Sequence, residues 1–212
     1  MEETDFKVIT RTDGKPYTVR RDRRRYFYPD EWDRFYDALR DKNKPLFDFL
    51  INTGARIDEA VHIRPMDFDF ARNNVRLWKT KTKAKKGETQ GKPRTISLSS
   101  KYCRRAAKAC NGKKPDEYLW MTSTQAANCL MKRTLKRIGV KDPYNFSLHN
   151  IRKSSGMWLK SIGVGAEEIC LRLGHDYNTY LSHYGSADIF SDKDVRRIEA
   201  FYDDLYRRVR RV

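Results

Sequence analysis

The sequence has 212 residues, 39% of them hydrophobic, including 12 Tyr, 10 Phe and 4 Trp. That is enough apolar material for one folded domain and excludes a disordered basic tail. With 45 Lys and Arg against 28 Asp and Glu the net charge is +17, which points to a polyanionic partner, nucleic acid before an acidic membrane surface.

No run of about 18 apolar residues occurs, so no membrane span is predicted. The acidic opening Met1-Glu2-Glu3-Thr4-Asp5 does not read as a signal peptide. Cys103, Cys110, Cys129 and Cys170 form no C-x-x-C pair, which argues against zinc and for ordinary thiols in a reducing compartment.

In chain order, residues 1–27 read as a polar, basic leader or linker stub ending in Arg20, Arg21, Arg23, Arg24 and Arg25. It is either a DNA-touching arm or a solvated one. Pro29 opens a helix, and Trp32, Phe35, Tyr36 and Leu39 follow at i, i+3, i+4, i+7. A second helix is predicted from about Pro45 to Thr53, stopped by Gly54, and a third from near Arg56 to before Pro65. Phe68 and Phe70 alternate with Asp67 and Asp69, Asn73-Asn74 makes a turn, and Val75 and Leu77 continue a second strand. Residues 83–92 read as a loop, and Arg94 to Leu98 as a third strand. From Ser99 onward the pattern is helical again, and helices are predicted for Ser123–Ile138, Leu148–Ile162, Ala166–Leu173 and Asp192–Arg208, with Gly139, Gly163 and Gly174 at helix ends. The fold class is therefore mainly α with a small three-stranded antiparallel sheet.

Charge is concentrated. Residues 71–114 hold 15 Lys and Arg and one acid, Glu88. Sustained phosphate contact explains such a stretch better than a solvated face, with affinity that falls steeply as salt rises.

Five short signals stand in order: Thr53-Gly54-Ala55-Arg56-Ile57-Asp58-Glu59; Lys81, after Val75-Arg76-Leu77-Trp78; His149-Asn150-Ile151-Arg152; Leu173-Gly174-His175; and Tyr184. Singly, each is unremarkable: an H-x-x-R puts two side chains on one helix face, and one tyrosine among twelve is usually packing. Together they resemble the tyrosine recombinases, the family of the Xer recombinases, Cre and the phage integrases. That family carries a T-G-x-R-x-x-E box, a lysine in a β-hairpin, H-x-x-R, L-G-H and then Tyr. The resemblance implies about 23 residues from the second arginine to the L-G-H histidine and about nine more to the tyrosine. Here the distances from Arg152 to His175 and on to Tyr184 are 23 and nine.

The resemblance covers roughly residues 28–190 as a catalytic domain and implies Arg56, Lys81, His149, Arg152, His175 and Tyr184 as catalytic residues, with Glu59 orienting the cluster. The run Trp78-Lys79-Thr80-Lys81 leaves two candidates for the hairpin lysine: the Cre pattern favours Lys81 and the phage integrase pattern favours Lys79. Arg76, Lys79, Lys83, Lys85, Lys86, Lys92 and Arg94 are expected to face DNA. Residues 191–212 read as a C-terminal helix that packs either on a neighbouring protomer or back on its own chain. The partners implied are double-stranded DNA and further copies of the chain on it, in the cytoplasm of a cell that carries the mobile element.

The chemistry follows from the residue types. Breaking a phosphodiester builds negative charge on its oxygens, and two guanidiniums, Arg56 and Arg152, can clamp them. A tyrosine with a pKa near 10 is a weak nucleophile, and the same cations are expected to lower that pKa. A hairpin lysine would protonate the leaving 5′-oxygen. His149 would shuttle a proton, and His175 would donate to a nonbridging oxygen. The product would be a 3′-phosphotyrosine and a 5′-hydroxyl, with neither metal, other cofactor nor ATP required. Two rival expectations stand beside this one: a type IB topoisomerase-like relaxase, and a basic DNA-binding module with no catalysis.

Overall fold

The computed structural model describes residues 6–10, 14–20, 26–78, 93–184 and 189–210. The aromatic stripe at Trp32 becomes α1, Pro29–Asp37, with proline at its first turn and the Glu31 carboxylate accepting the Tyr28 N–H at 3.1 Å. Phe27, just ahead of it, packs edge-on against Trp32 at 5.4 Å and tilted against Phe146 at 4.6 Å. α2, Lys44–Thr53, is buried on every side from Leu46 onward, so it is the central helix rather than a surface one. Gly54 ends it in the left-handed region, φ 63°, and a side chain there would meet Leu173 Cδ2 at 2.4 Å.

α2 packs against α6, Leu148–Ser161. The small residues Ser154, Ser155 and Gly156 are buried on α6 beside Met157, Trp158 and Leu159. The short α3, Ile57–Ala60, follows α2. Next comes an antiparallel sheet in the order β3 (Phe68–Asp69), β4 (Asn74–Leu77), β5 (Arg94–Ser97). Asn73 takes φ 52° at the β3–β4 turn, a conformation asparagine tolerates. Val75 faces Ile96 across β4 and β5, and both are buried.

α4 (Ser100–Cys110) and α5 (Thr124–Arg137) then lead to α6. After it come α7 (Ala166–Leu173), α8 (Tyr177–Tyr184) and α9 (Asp192–Tyr202). The mainly helical class with a three-stranded sheet is what the sequence predicts. Among the described residues, no helix is long and apolar enough to cross a membrane.

Four departures have physical reasons. Two stretches of the leader pair as an antiparallel hairpin, β1 (Phe6–Thr10) with β2 (Pro16–Arg20), so the leader carries secondary structure that its polar, basic composition did not announce. Phe70 lies beyond β3 and stacks in parallel on Phe68 at 5.2 Å instead of continuing the strand. α8 is a helix that the periodicity did not pick out, whereas α4 fits the return of a helical pattern from Ser99 onward. The last helix stops at Tyr202 instead of Arg208, because Asp203 turns to φ 50° and starts a 3-10 segment. α9 folds back on its own chain, against α1 and α6, with Ile198 and Tyr202 buried.

Trp158 ties several of these pieces together. It meets Trp32 and Phe201 edge-on at 6.3 and 5.4 Å, and its indole N–H donates to the Phe27 carbonyl at 2.9 Å. Trp158→Ala is expected to cost about 3–5 kcal/mol of stability, read as a lower urea midpoint.

Candidate active site

The site is built where α2, α6 and α7 end or begin. Arg56 is the residue ahead of α3, and Glu59, three residues on, bends its carboxylate back to accept the Arg56 backbone N–H at 2.7 Å and its Nη1 at 3.1 Å. That is a capping box with a salt bridge added to it. Arg152, from α6, donates Nη1 to the Gly54 carbonyl at 2.7 Å and Nη2 to the Leu173 carbonyl. Arg56 Nη2 donates to the Gly174 carbonyl at 3.2 Å.

A third guanidinium joins them. Arg94, at the start of β5, places Nη1 and Nη2 on the two Glu59 oxygens at 2.6 and 2.7 Å and donates Nε to the Arg172 carbonyl at 3.1 Å. Three successive carbonyls at the end of α7 (Arg172, Leu173, Gly174) are therefore each held by a different arginine. These orphan carbonyls and the negative end of the helix attract cations. Two of the three guanidiniums, Arg56 and Arg94, are paired with the one buried carboxylate and Arg152 is not, so the cluster carries excess positive charge in a partly dry place, which suits an anion. Burial alone would raise the Glu59 carboxyl, but the hydrogen bond and charge of Arg94, followed by those of Arg56, hold it below the usual range. Arg152 is pushed down to about 9 by burial, then by Arg56 and Arg94, and remains charged at neutral pH.

His175 follows Gly174 directly. Its Nδ1 lies 3.1 Å from the Asp176 carbonyl, and its buried Nε2 has no partner among the described residues. If Nδ1 carries the proton, Nε2 of the neutral ring accepts and turns donor only on protonation. Burial, more than any other cause, lowers its pKa. The ring stacks on Tyr184 at 5.8 Å and 20°.

Tyr184 is the last residue of α8 and only 2% exposed. Its ring lies against Gly156, where an added Cβ would come within 2.7 Å of the ring carbons, so α6 needs glycine at that point. Tyr26 Oη donates to the carbonyl of His183, the residue before Tyr184, at 2.7 Å. One expectation is corrected here. The cations were expected to lower the Tyr184 pKa, and Arg152 does pull it down. Burial is the larger effect, however, and the phenol is raised above its ordinary value.

His149, in the first turn of α6, is open to solvent on one side. Crowding by the protein and then the charges of Arg152, Lys153, His183 and Arg56 push its pKa down to about 4. Its folded pKa is depressed, so its contribution to stability is present above about pH 6.5 and is lost as pH falls toward 4. A ring titration followed by NMR should place the His149 midpoint near 4; a midpoint near 6.5 would contradict this environment.

Arg56, Glu59, Arg152, His175 and Tyr184 are thus brought together, with His149 at their edge. Lys79, Lys81, Lys83, Lys85, Lys86 and Lys92 lie outside the described residues. Arg76 is exposed and lies over the Trp78 ring at 3.8 Å, on the face opposite Val75 and Leu77. Arg94 was expected to face DNA, but its side chain is turned inward and only 12% exposed. A signal for that was present: with a strand period of two, Arg94 shares its face with the buried Ile96, away from Thr95 and Ser97. The sequence reading also passed over Arg172, whose buried guanidinium joins the carbonyls of Asn52 and Ser97 at 2.5 and 2.8 Å and so fixes α7 to α2 and β5.

This mainly helical body, with its arginine-lined site at the end of α7, has the fold of tyrosine recombinase catalytic domains. The family model described as the phage integrase family matches residues 25–188, and the chain belongs to that family. Among solved structures it is similar to XerA recombinase (16% identity, TM-score 0.64, covering 83% of this chain and 64% of that one). It is also similar to the Tn1549 transposon integrase in complex with transposon right end DNA (18% identity, TM-score 0.62, covering 83% and 65%). A third is the catalytic domain of bacteriophage HP1 integrase (16% identity, TM-score 0.58, covering 74% and 85%). The chain thus spans less than two thirds of the length of the first two. No curated protein sequence matches it.

Proposed function

We propose that this chain cuts and rejoins double-stranded DNA at specific sites through a covalent bond between Tyr184 and a 3′-phosphate. The observation that supports this best is the meeting of Arg56 and Arg152 with His175, whose ring is stacked on Tyr184. A phosphodiester entering the cluster would meet donors already fixed by protein carbonyls and Glu59, so little reorganisation is left for the reaction itself.

Tyr184 Oη attacks phosphorus and the bond to the 5′-oxygen breaks. The phenol proton passes to a base, with neutral His149 the nearest candidate by role, and the leaving oxygen takes a proton from Lys81 or Lys79. His175 Nε2, protonated as the phosphate arrives, donates to a nonbridging oxygen. Reversal with a second 5′-hydroxyl reseals the strand without ATP, because the phosphotyrosine keeps the energy of the broken bond. No residue in this scheme requires a metal ion. The raised pKa of Tyr184 keeps the nucleophile protonated in the DNA-free chain. Further copies of the chain would complete strand exchange.

The test is capture on DNA. A duplex selected from a randomised pool is nicked beside the cleavage point, so that the freed end diffuses away and religation fails. An adduct stable to denaturant on that duplex, and not on unrelated DNA, supports the reading. Relaxation of plasmids that lack the selected site would favour a topoisomerase-like enzyme, and binding without an adduct would favour a non-catalytic module.

A further inference from the structure

The geometry points to Arg94 as a positioning residue that holds Glu59 and the end of α7 in place, so that Arg56 and His175 are presented to the phosphate. The inference rests on the function proposed above and adds a residue to its machinery.

The case begins with Glu59. Its side chain is 1% exposed, so its charge must be met by protein. Arg56 brings one side-chain hydrogen bond, at 3.1 Å, whereas Arg94 brings two, at 2.6 and 2.7 Å. The fork-on-carboxylate geometry is one that arginine makes and lysine cannot. Among the described residues, Arg152 also interacts with this carboxylate through its charge.

This division of labour matters for Arg56. With Glu59 satisfied by Arg94, Arg56 needs only Nη1 for the carboxylate. Its Nη2 rests on the Gly174 carbonyl, and its side chain stays 25% exposed. Without Arg94, Glu59 would compete with the phosphate for the whole Arg56 fork.

Arg94 also supports His175. Its Nε holds the Arg172 carbonyl, and its stem lies over Gly174, where an added Cβ would stand 3.2–3.3 Å from Arg94 Cδ, Nε and Nη1. Gly174 sits at φ 62°, so both the conformation and the space call for glycine. The Arg94 fork is committed to the Glu59 carboxylate by two short charge-assisted bonds, whereas Arg56 gives that carboxylate one side-chain bond at 3.1 Å. Arg94 therefore acts through its neighbours, and the affinity measurement below tests whether its two remaining N–H groups also reach the phosphate.

The test separates binding from cleavage. Arg94→Gln and the milder Arg94→Lys are compared with the natural chain for DNA affinity and for single-turnover adduct formation, from mildly acid to neutral pH. We expect affinity to be nearly unchanged and the rate to fall about 100-fold, the effect of a misplacement on the order of 1 Å. The loss should deepen toward acid pH, as a less compensated Glu59 takes up a proton. Adding Glu59→Gln to Arg94→Gln should cost less than the two single losses combined. Weakened affinity with an unchanged rate in the bound complex would overturn the inference, because Arg94 would then be a phosphate contact. A loss equal at every pH, additive with Glu59→Gln and matched by lower thermal stability would also overturn it, leaving a purely structural role. If the natural chain forms no adduct on any DNA, the proposed function fails. Arg94 is then judged by the His175 ring resonance, which should move in both Arg94 variants of the DNA-free protein and should stay unmoved if Arg94 positions nothing.

Discussion

Replacing Tyr184 with phenylalanine is expected to abolish the covalent adduct completely while leaving DNA affinity unchanged. The substitution removes one oxygen and keeps the ring that fills the space between Gly156 and His175. Stability should shift by no more than about 0.5–1.5 kcal/mol, the worth of one hydrogen bond. The other tyrosines of α8 are the competing nucleophiles that this substitution tests. Tyr177 is exposed at the start of α8 and lines the same cleft as Arg56 and His175, and Tyr180 is one turn before Tyr184, packed at 5.8 Å on Tyr177. An adduct that survives in Tyr184→Phe, seen as a band shifted on a denaturing gel, would remove the nucleophile from this account.

The second large effect is expected at Arg152. Arg152→Ala should lower the single-turnover cleavage rate by at least about 10²–10³-fold, the usual cost of one preorganised donor at a developing negative charge. It should also destabilise the fold. Its guanidinium holds the carbonyls of Gly54 and Leu173 in the interior, and each one left unpaired costs about 1–3 kcal/mol. Arg152→Lys restores charge but not the fork, so it should recover binding more than rate. Quenched reactions on the nicked duplex, beside a denaturation curve for each variant, separate the two effects. Equal rates in Arg152→Ala and the natural chain would contradict the clamp.

Why were the central elements legible in the sequence? α1 buries one apolar face, and α6 is buried nearly all round, with Ile151, Met157, Trp158 and Leu159 supplying the apolar signal among small and polar residues; hydrophobic burial overrides local preferences. α8 was not legible, because Tyr177–Tyr184 has Leu181 alone among Tyr, Asn, Thr, Ser and His, which are middling helix formers, and shows little amphipathic contrast. It is helical through packing on α6 and α7. The spacings from Arg152 to His175 and Tyr184 pointed to those residues because they match the spacings of the family that the motifs resemble.

The contacts between side chains and backbone carbonyls were beyond such reasoning. Nothing in the spacing says that Arg94, Arg152 and Arg56 hold three successive carbonyls, because these bonds join residues 21 to 118 positions apart. The Tyr184 pKa was misjudged for a related reason. The charge of the arginines is written in the sequence, but the depth of the phenol depends on Gly156 and on the packing of α8.

The most direct test of the account is to locate the covalent bond. The trapped protein–DNA complex is digested with nuclease and protease, and the nucleotide-bearing peptide is sequenced by mass spectrometry. The account predicts a phosphodiester-linked nucleotide on Tyr184, attached through its 3′-phosphate. A nucleotide on any other residue, or one attached through a 5′-phosphate, would contradict it.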